Sequence, residues 1–292
     1  MVSAVVSKIA TLLEMIKFSH TVFAFPFALM GATLAALAGG QAPTPGQIVW
    51  ICLAMVGART AAMGLNRIID ARIDAQNPRT ACRALPAGKV SLVESWLLVG
   101  MATILLLFAA GMLNLLCLLL APVALGLFVL YAYCKRFTAL AHVVLGVCLA
   151  AAPVGAWIAL RGDLQWPVLV LGLAVLLWVA GFDIFYALQD VDFDREKGLH
   201  SIPVVLGVNK AILLGKLLHG GMVVLLLIIP FGLPLGWLYY VGIAVISGLI
   251  AYEHQLVKGD DLSRLDAAFF NMNGYISVTI FVFTLADAVL LR

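Results

Sequence analysis

Long apolar segments alternate with short polar ones along the chain. Nine of these segments reach about the 20 residues that a membrane-spanning helix requires. Glycine and proline mark the breaks between them, as in PFGLPLG at 230–236, which is typical of turns. The pattern predicts an all-α, polytopic membrane protein with nine transmembrane helices. They are predicted at about 18–39, 47–69, 92–110, 112–133, 138–160, 165–187, 210–231, 233–252 and 266–291.

The first residues of the chain form a separate, shorter segment. Residues 2–16 are amphipathic and too short to span a bilayer, which predicts a helix at the membrane interface. The tripeptide at 36–38, Ala-Leu-Ala, resembles a signal-peptide cleavage site. The apolar run before it exceeds the ~7–15 residues of a signal peptide's apolar region. We therefore expect the first predicted helix to remain in the mature chain.

Composition supports the membrane assignment and excludes other classes of protein. The 292 residues are 64% hydrophobic and 11% charged, whereas soluble domains carry about 25% charged residues. A net charge of +3 gives no strong basic field, which argues against nucleic-acid binding. The five cysteines have no Cys-x-x-Cys spacing, so we expect neither a disulfide nor a thiolate metal site.

Basic residues are concentrated at one end of the predicted helices. Of the 18 Lys and Arg residues, all except Arg161 and Arg292 lie in the N-terminal segment or near the connections after the second, fourth, sixth and eighth helices. Cytoplasmic loops carry the excess of Lys and Arg in membrane proteins. The N-terminus is therefore predicted to be cytoplasmic and the C-terminus to lie outside, in the plasma (inner) membrane of the cell.

Similar acidic patterns start at the helix ends that lead into the two longest polar connections, at about 70–91 and 188–209. In each pattern a polar residue is followed by aspartate at the fourth and eighth positions after it. The two sets are Asn66, Asp70 and Asp74, and Tyr186, Asp190 and Asp194. Because four predicted helices separate the sets, both should emerge at the same membrane face.

Two similar motifs that are separated by an even number of helices are typical of a parallel internal repeat. The chain is predicted to be a single domain, 1–292, whose helices surround a central cavity. Its parts are a first four-helix repeat at about 18–133, a second at about 138–252, and an extra helix at about 266–291.

The acidic sets suggest a metal site. Residues four apart lie on one face of a helix, and extending the two faces back by seven residues reaches Arg59 and Asp183, inside predicted helices. An ionised group at the bilayer centre costs at least ~2.5–3.5 kcal/mol, so both should face the bundle interior and meet a partner. Paired carboxylates suit Mg²⁺, which commonly bridges to phosphate oxygens. The sequence thus predicts a magnesium and phosphate site at the cytoplasmic end of the helices.

Basic side chains near the acidic sets would suit the phosphate groups. They are Arg59, Arg67, Arg72, Arg79, Arg83, Lys135 and Lys197. Tyr131 precedes Lys135 by one helical turn on the same face and is a further candidate contact. Four other acidic residues are expected to be solvated at the surface: Asp192, Glu196, Asp260 and Asp261.

These motifs resemble those of the UbiA superfamily of intramembrane prenyltransferases. NRIIDARIDAQNPRTACRALPAGKVS, from Asn66, resembles the first aspartate motif of the superfamily, and DIFYALQDVDFDREKGLHSIP, from Asp183, resembles the second. Tyr131-x-x-x-Lys135 is similar to the Tyr/Lys motif between them. The resemblance implies that the aspartates bind an isoprenyl diphosphate through Mg²⁺ and that its lipid tail runs toward the bilayer.

Three further stretches point to one branch of the superfamily. IKFSHTVFAFPFALMGA, RALPAG and AAFFNMNGYISV are similar to the 4-hydroxybenzoate polyprenyltransferases and their relatives. The implied reaction is polyprenyl transfer to an aromatic acid in ubiquinone or menaquinone biosynthesis. The implied acceptor is 4-hydroxybenzoate, with 1,4-dihydroxy-6-naphthoate of the futalosine menaquinone route as the alternative. Two positions depart from common patterns of the superfamily: Arg67 stands where many members have an acidic residue, and Ala187 where some have Asp.

The resemblance also implies roles for individual residues. Five are implied metal ligands: Asn66, Asp70, Asp74, Asp190 and Asp194. The implied catalytic residues are Asp70, Lys135, Asp183 and Asp190. The implied substrate contacts are Arg59, Asn66, Arg67, Arg72, Arg79, Arg83, Tyr131, Lys135, Tyr186 and Lys197. Lys135, with Arg72, would stabilise the leaving diphosphate, and Asp183 or Asp190 would accept the proton. Arg59 would pair with the acceptor carboxylate or neutralise the aspartates.

Other functions stay open at this point. A transporter could use acidic residues near the bilayer midplane, but here the aspartates lie at helix ends and the repeat is parallel with an odd extra helix. Haem, chlorophyll-type or glycerophosphate acceptors would keep the same fold. The CDP-alcohol phosphotransferases have one dense acidic cluster led by Asp-Gly, which this sequence lacks. Beyond substrates and lipid, no obligate protein partner is expected.

Overall fold

The computed structural model of the protein describes residues 2–16, 24–257 and 272–290. Within these ranges the chain forms helices and no strand. The helices are α1 (Val2–Met15), α2 (Phe25–Gly39), α3 (Pro45–Asp74), α4 (Leu92–Leu113), α5 (Leu115–Cys134), α6 (Ala141–Arg161), α7 (Trp166–Ala187), α8 (Val191–Glu196), α9 (Ile202–Leu206), α10 (Val208–Ile228), α11 (Trp237–Leu256) and α12 (Asn273–Leu290), with 3₁₀ turns at Leu188–Asp190 and Ile229–Phe231.

In the part of the chain that the structure describes, seven helices are long and apolar enough to cross a membrane. They are α3 to α7, α10 and α12. The all-helical, multi-pass architecture is therefore confirmed, whereas the predicted count of nine is not. Helix α2 is apolar but has only 15 residues, and α11 ends in a polar turn that contains Glu253 and His254.

Most helices coincide with predicted segments, and the differences fall near the acidic sets. Helix α3 continues to Asp74, past the predicted loop start at about 70. Hydropathy marks the edge of the apolar segment, but a helix can continue beyond it where polar side chains find partners. The second polar connection is also not an open loop, because it contains α8 and α9. The first and last predicted segments begin at about 18 and 266, outside the described residues.

The chain divides into two compact units, and the first contains residues 1–21 and 49–133. At one end of this unit α1 is held by polar contacts to the start of α4. The Lys8 ammonium donates to the Lys89 carbonyl at 2.9 Å and lies 3.0 Å from the Glu94 carboxylate. Glu94 also forms a capping box with Ser91, which satisfies free N–H groups where α4 begins.

The second unit contains residues 22–48 and 134–292, and its core surrounds α7. Trp178 on α7 is fully buried, with ring centroids 5.0 Å from Phe27 and 4.9 Å from Phe182. Small residues let neighbouring helices approach α7 closely: a Cβ on Gly181 would overlap His219 of α10. Most of α7 is therefore enclosed by protein, and 67% of an 18-residue apolar stretch within Trp166–Glu196 is buried.

Two sequence predictions concern the organisation of the chain. Packing groups α2 with α6, α7 and α12 in the second unit, whereas the predicted repeat assigns it to the first copy by sequence order. Because packing and repeat order are different properties, the repeat and the central cavity stay predictions.

All five cysteines lie in the described ranges and are free.

A buried carboxylate on α12 determines where α11 begins. Asp287 is fully buried; its Oδ2 accepts from the Gly236 backbone N–H at 2.7 Å, and its Oδ1 accepts from that of Tyr239 at 3.3 Å. We expect Asp287→Ala to lower the free energy of unfolding by about 2 kcal/mol, because the buried N–H of Tyr239 and the partly buried N–H of Gly236 lose their acceptor. Asp287→Asn keeps one acceptor oxygen and should lose less. Unfolding of the purified protein in mixed detergent micelles measures both, and an alanine variant as stable as the native chain would contradict the capping role.

Candidate active site

The first acidic set lies on one face of an uninterrupted helix. Asn66, Asp70 and Asp74 follow each other at four-residue spacing along α3, as the sequence pattern predicts. The Asn66 amide Nδ2 donates to Asp70 Oδ2 at 3.3 Å. Asp70 and Asp74 are each only 4% exposed. Two carboxylates and an amide are thus held at the end of one membrane helix.

The segment after α3 folds back onto Asp74. Arg83 Nη1 donates to both oxygens of the Asp74 carboxylate, at 2.8 and 2.7 Å. The Thr80 hydroxyl donates to the Asp74 backbone carbonyl at 3.0 Å, and the Arg79 backbone N–H donates to Asn77 Oδ1 at 2.9 Å. Arg83, predicted as a phosphate contact, therefore already neutralises a carboxylate in this structure.

The other basic residues of α3 have different surroundings. Arg67 is buried; its Nε donates to the Met15 carbonyl at 3.3 Å and its Nη1 lies 3.9 Å from Asp74 Oδ2. It thereby joins the end of α1 to the first acidic set. Arg72 is exposed. The buried Nε of Arg59, two helical turns before Asn66, has no hydrogen-bond acceptor among the described residues.

The second acidic set lies where a helix breaks. Helix α7 ends at Ala187, a 3₁₀ turn covers Leu188–Asp190, and α8 starts at Val191. The helix predicted to carry Tyr186, Asp190 and Asp194 is therefore interrupted by a 3₁₀ turn, although Asp190 and Asp194 still interact. The Leu188 backbone N–H donates to the carbonyls two and three residues earlier, and this tighter winding rotates the following residues away from α-helical register.

Asp194 is the centre of a charged group in the second unit. It interacts electrostatically with Asp190, Lys135 and His142. Lys135 directly follows the last residue of α5, and its backbone carbonyl accepts from the His200 N–H at 2.7 Å. A cationic side chain thus lies beside two carboxylates, an arrangement suited to an anionic ligand held through metal ions.

One residue of this group was missed by the sequence prediction. His142, near the start of α6, is 4% exposed, and its Nδ1 lies 2.7 Å from Asp183 Oδ2 on α7. The five histidines show no ligand spacing, so nothing in the sequence distinguishes His142 from the others. Asp183 was expected to meet a partner inside the bundle, and His142 is one.

The remaining predicted residues lie nearer the surface. Lys197 is exposed, lies 3.1 Å from the Glu196 carboxylate and is 5.9 Å from the centre of the Phe193 ring. Tyr131 and Tyr186 are half-buried. Asp192 and Glu196 are exposed, which confirms that they are solvated. Asp260 and Asp261 lie outside the described residues.

The donor chemistry of these groups fits Mg²⁺. Within the described ranges, no three His, Cys, Asp or Glu side chains gather closely enough to hold a metal by themselves. Mg²⁺ does not require such a cage, because it is commonly bound by one or two carboxylates together with substrate phosphates. Asp70 with Asn66, and Asp194 with Asp190, are oxygen-rich pairs of this kind. A metal ligand role for Asp74 would require it to share its oxygens with Arg83.

A multi-pass helical fold with two aspartate motifs at helix ends is typical of intramembrane prenyltransferases. The sequence profile of the UbiA prenyltransferase family matches residues 24–275, and the chain belongs to this family. It is 30% identical over 246 residues to the 4-hydroxybenzoate octaprenyltransferase of Photobacterium profundum, covering 84% of this chain and 85% of the relative. The corresponding protein of Pectobacterium carotovorum is 32% identical over 249 residues, with the same coverage. The protein is therefore a prenyltransferase.

Solved structures agree with this assignment. A UbiA homologue from Aeropyrum pernix, in its apo form, superposes with a TM-score of 0.83 and is 35% identical, covering 92% of this chain and 98% of the homologue. A UbiA homologue from Archaeoglobus fulgidus, bound to GPP and Mg²⁺, superposes with a TM-score of 0.69 at 21% identity, covering 95% and 99%. The second comparison supports the fold alone.

Proposed function

We propose that the protein transfers a polyprenyl group from polyprenyl diphosphate to the ring of 4-hydroxybenzoate in quinone biosynthesis. Relatives named for this reaction are 30% and 32% identical to the chain. The structural observation that carries the choice of an aromatic acid is the Arg59 Nε, which is buried without an acceptor among the described residues. A buried guanidinium N–H without an acceptor favours an anionic partner, and the carboxylate of the acceptor provides one.

Each acidic set is proposed to bind diphosphate oxygens through Mg²⁺. Mg²⁺ would be bound by Asn66, Asp70, Asp74, Asp190 and Asp194, and when bound it neutralises charge on the leaving diphosphate. Lys135 adds a positive charge beside Asp194, and the exposed Arg72 and Lys197 can contact outer phosphate oxygens. Arg79, Tyr131 and Tyr186 are further proposed contacts. Arg67 and Arg83 support the site by holding Asp74 in place.

The reaction replaces an allylic C–O bond by a C–C bond and moves one proton from the ring to a base. The allylic C–O bond of the prenyl diphosphate breaks and the diphosphate departs with its electron pair. The allylic carbon then forms a C–C bond with the ring carbon ortho to the hydroxyl. The proton released from the acceptor passes to a carboxylate, for which Asp183 or Asp190 is proposed. The N-terminus and this site are proposed to be cytoplasmic, in the plasma membrane, with the C-terminus outside.

The experiment that tests this proposal is an acceptor series with the purified protein in lipid nanodiscs. Radiolabelled polyprenyl diphosphates of several lengths are offered with 4-hydroxybenzoate, its carboxamide, or 1,4-dihydroxy-6-naphthoate, with Mg²⁺ or with EDTA. We expect Mg²⁺-dependent transfer to 4-hydroxybenzoate, without any ion gradient, and little transfer to the carboxamide. Because the naphthoate also carries a carboxylate for Arg59, exclusive transfer to it would identify the alternative acceptor. Equal transfer to acid and carboxamide would refute the role of Arg59.

A further inference from the structure

His142 connects three elements of the second unit. Its Nδ1 lies 2.7 Å from Asp183 Oδ2 on α7, and its Nε2 lies 3.3 Å from the backbone N of Ile202, the first residue of α9. The histidine itself is the second residue of α6. Since it is only 4% exposed, water cannot readily replace these two hydrogen bonds.

The two contacts determine which ring nitrogen carries the proton. A backbone N–H can only donate, so Nε2 of His142 must accept from Ile202 and carries no hydrogen. The ring is therefore the neutral tautomer with its proton on Nδ1, which donates to Asp183 Oδ2. The short distance of 2.7 Å is typical of a hydrogen bond to an ionised carboxylate. One orientation of the ring thus satisfies both partners.

The segment from α8 to α9, which contacts this histidine, is held by backbone hydrogen bonds. The Leu199 N–H donates to the Asp194 carbonyl at 2.8 Å, and the His200 N–H donates to the Lys135 carbonyl at 2.7 Å. Gly198 makes the turn with φ +66°, a conformation that other residues rarely adopt. The bond from Ile202 to His142 completes this series, so on one side the ring is held by a backbone that is itself hydrogen-bonded.

We propose that His142 is a positioning residue which fixes the orientation of the Asp183 carboxylate for the prenyl transfer reaction. This inference rests on the proposed function, in which Asp183 accepts the proton from the acceptor. A carboxylate held by a donor whose own position is determined by the backbone of α9 cannot rotate freely. Correct orientation of a catalytic group has a large effect on the reaction rate, because a misplacement of about 1 Å can lower the rate about 100-fold.

A purely structural role for His142 makes a different prediction. If the histidine only secures the start of α9, its bond to Ile202 matters and its bond to Asp183 does not. Two substitutions separate these bonds. In His142→Asn the amide N–H₂ occupies nearly the place of Nδ1 and can still donate to Asp183. In His142→Gln the longer side chain places its amide oxygen near Nε2, where it can accept from Ile202 but not donate to Asp183 in the same way.

The kinetic test compares these variants with His142→Ala and the native chain. We expect His142→Gln and His142→Ala to lower kcat about 10- to 100-fold, with the KM for the prenyl diphosphate changed less than about twofold because no proposed diphosphate ligand is itself substituted. His142→Asn should recover most of kcat. Recovery by glutamine instead of asparagine, equal losses in all three variants, or no loss in any of them would overturn the proposal.

A second measurement needs no turnover. In protein labelled with ¹⁵N at histidine, we expect the His142 ring to show a protonated Nδ1 and an unprotonated Nε2. Asp183→Asn should shift the Nδ1 signal, whereas Asp192→Asn, which changes an exposed carboxylate, should not. A proton on Nε2, or no shift with Asp183→Asn, would overturn the proposal. If the native protein prenylates none of the acceptors, the proposed function fails. The ¹⁵N signals of the His142 ring then still show whether Nδ1 donates to Asp183.

Discussion

Asp70→Ala is expected to reduce kcat/KM for prenyl transfer by about 10²- to 10³-fold, the usual cost of losing one group that stabilises developing charge. Asp70, on α3, is 4% exposed and accepts a hydrogen bond from Asn66. Its carboxylate is therefore held in place near the end of α3. Without it, one of the oxygen ligands proposed for Mg²⁺ is absent. Initial rates with radiolabelled prenyl diphosphate and 4-hydroxybenzoate, measured in membranes and in nanodiscs, test this expectation.

The controls for this prediction separate charge from shape. Asp70→Asn keeps an oxygen that can accept from Asn66, so it should fold normally and still require a higher Mg²⁺ concentration for half-maximal rate. Asp192→Asn removes a carboxylate that is fully exposed and should leave the rate unchanged. Native rates with native Mg²⁺ dependence in Asp70→Ala would show that Asp70 does not hold the metal.

Gly31→Ala is expected to lower the free energy of unfolding by about 3 kcal/mol, at the upper end of the cost of overpacking. Gly31 is buried on α2, where a Cβ would overlap the backbone carbonyl of Pro153 on α6. Backbone atoms cannot rotate aside as the end of a long side chain can. Helices α2 and α6 would have to separate, and the packing around both would be lost.

A matched control lies on the partner helix. Gly155 is two residues from Pro153 on α6, and no described atom comes within 4 Å of a Cβ built on it. Because alanine favours a helix over glycine by about 1 kcal/mol, Gly155→Ala should be neutral or slightly stabilising. Unfolding in mixed micelles, with the same probe for both variants, gives the comparison. Equal stability of the two variants would mean that α2 and α6 do not need their close approach.

Helix positions could be predicted because they depend on local properties of the chain. The apolar run at 165–187 became α7, Trp166–Ala187, and the run at 138–160 became α6, Ala141–Arg161. The first acidic set was also placed correctly on one helical face, since four-residue spacing is a property of any straight helix. The same spacing did not predict the 3₁₀ turn at Leu188–Asp190, because tighter winding of a helix is not a property of residue spacing.

The charges of the site were recognised more readily than their partners. Asp70, Asp74 and Arg83 were all assigned to a phosphate and metal site, but the hydrogen bonds from Arg83 Nη1 to both oxygens of Asp74 could not be foreseen. His142 was not selected at all, although it lies 2.7 Å from a predicted catalytic residue. A histidine without ligand spacing is identified only by its neighbours in space.

By itself, the sequence determined that this protein is helical and crosses a membrane, and it indicated the prenyltransferase family from two spaced aspartate motifs. These conclusions follow from hydropathy and from helical periodicity. Both properties depend only on residues that are close together in the sequence. Only the tertiary structure decided which groups are paired: His142 with Asp183, 41 residues away, Arg67 with the carbonyl of Met15, 52 residues away, and Asp287 with the start of α11. The physical reason is that a hydrogen bond requires two atoms within about 3 Å, and for distant segments only the packing of whole helices sets that distance.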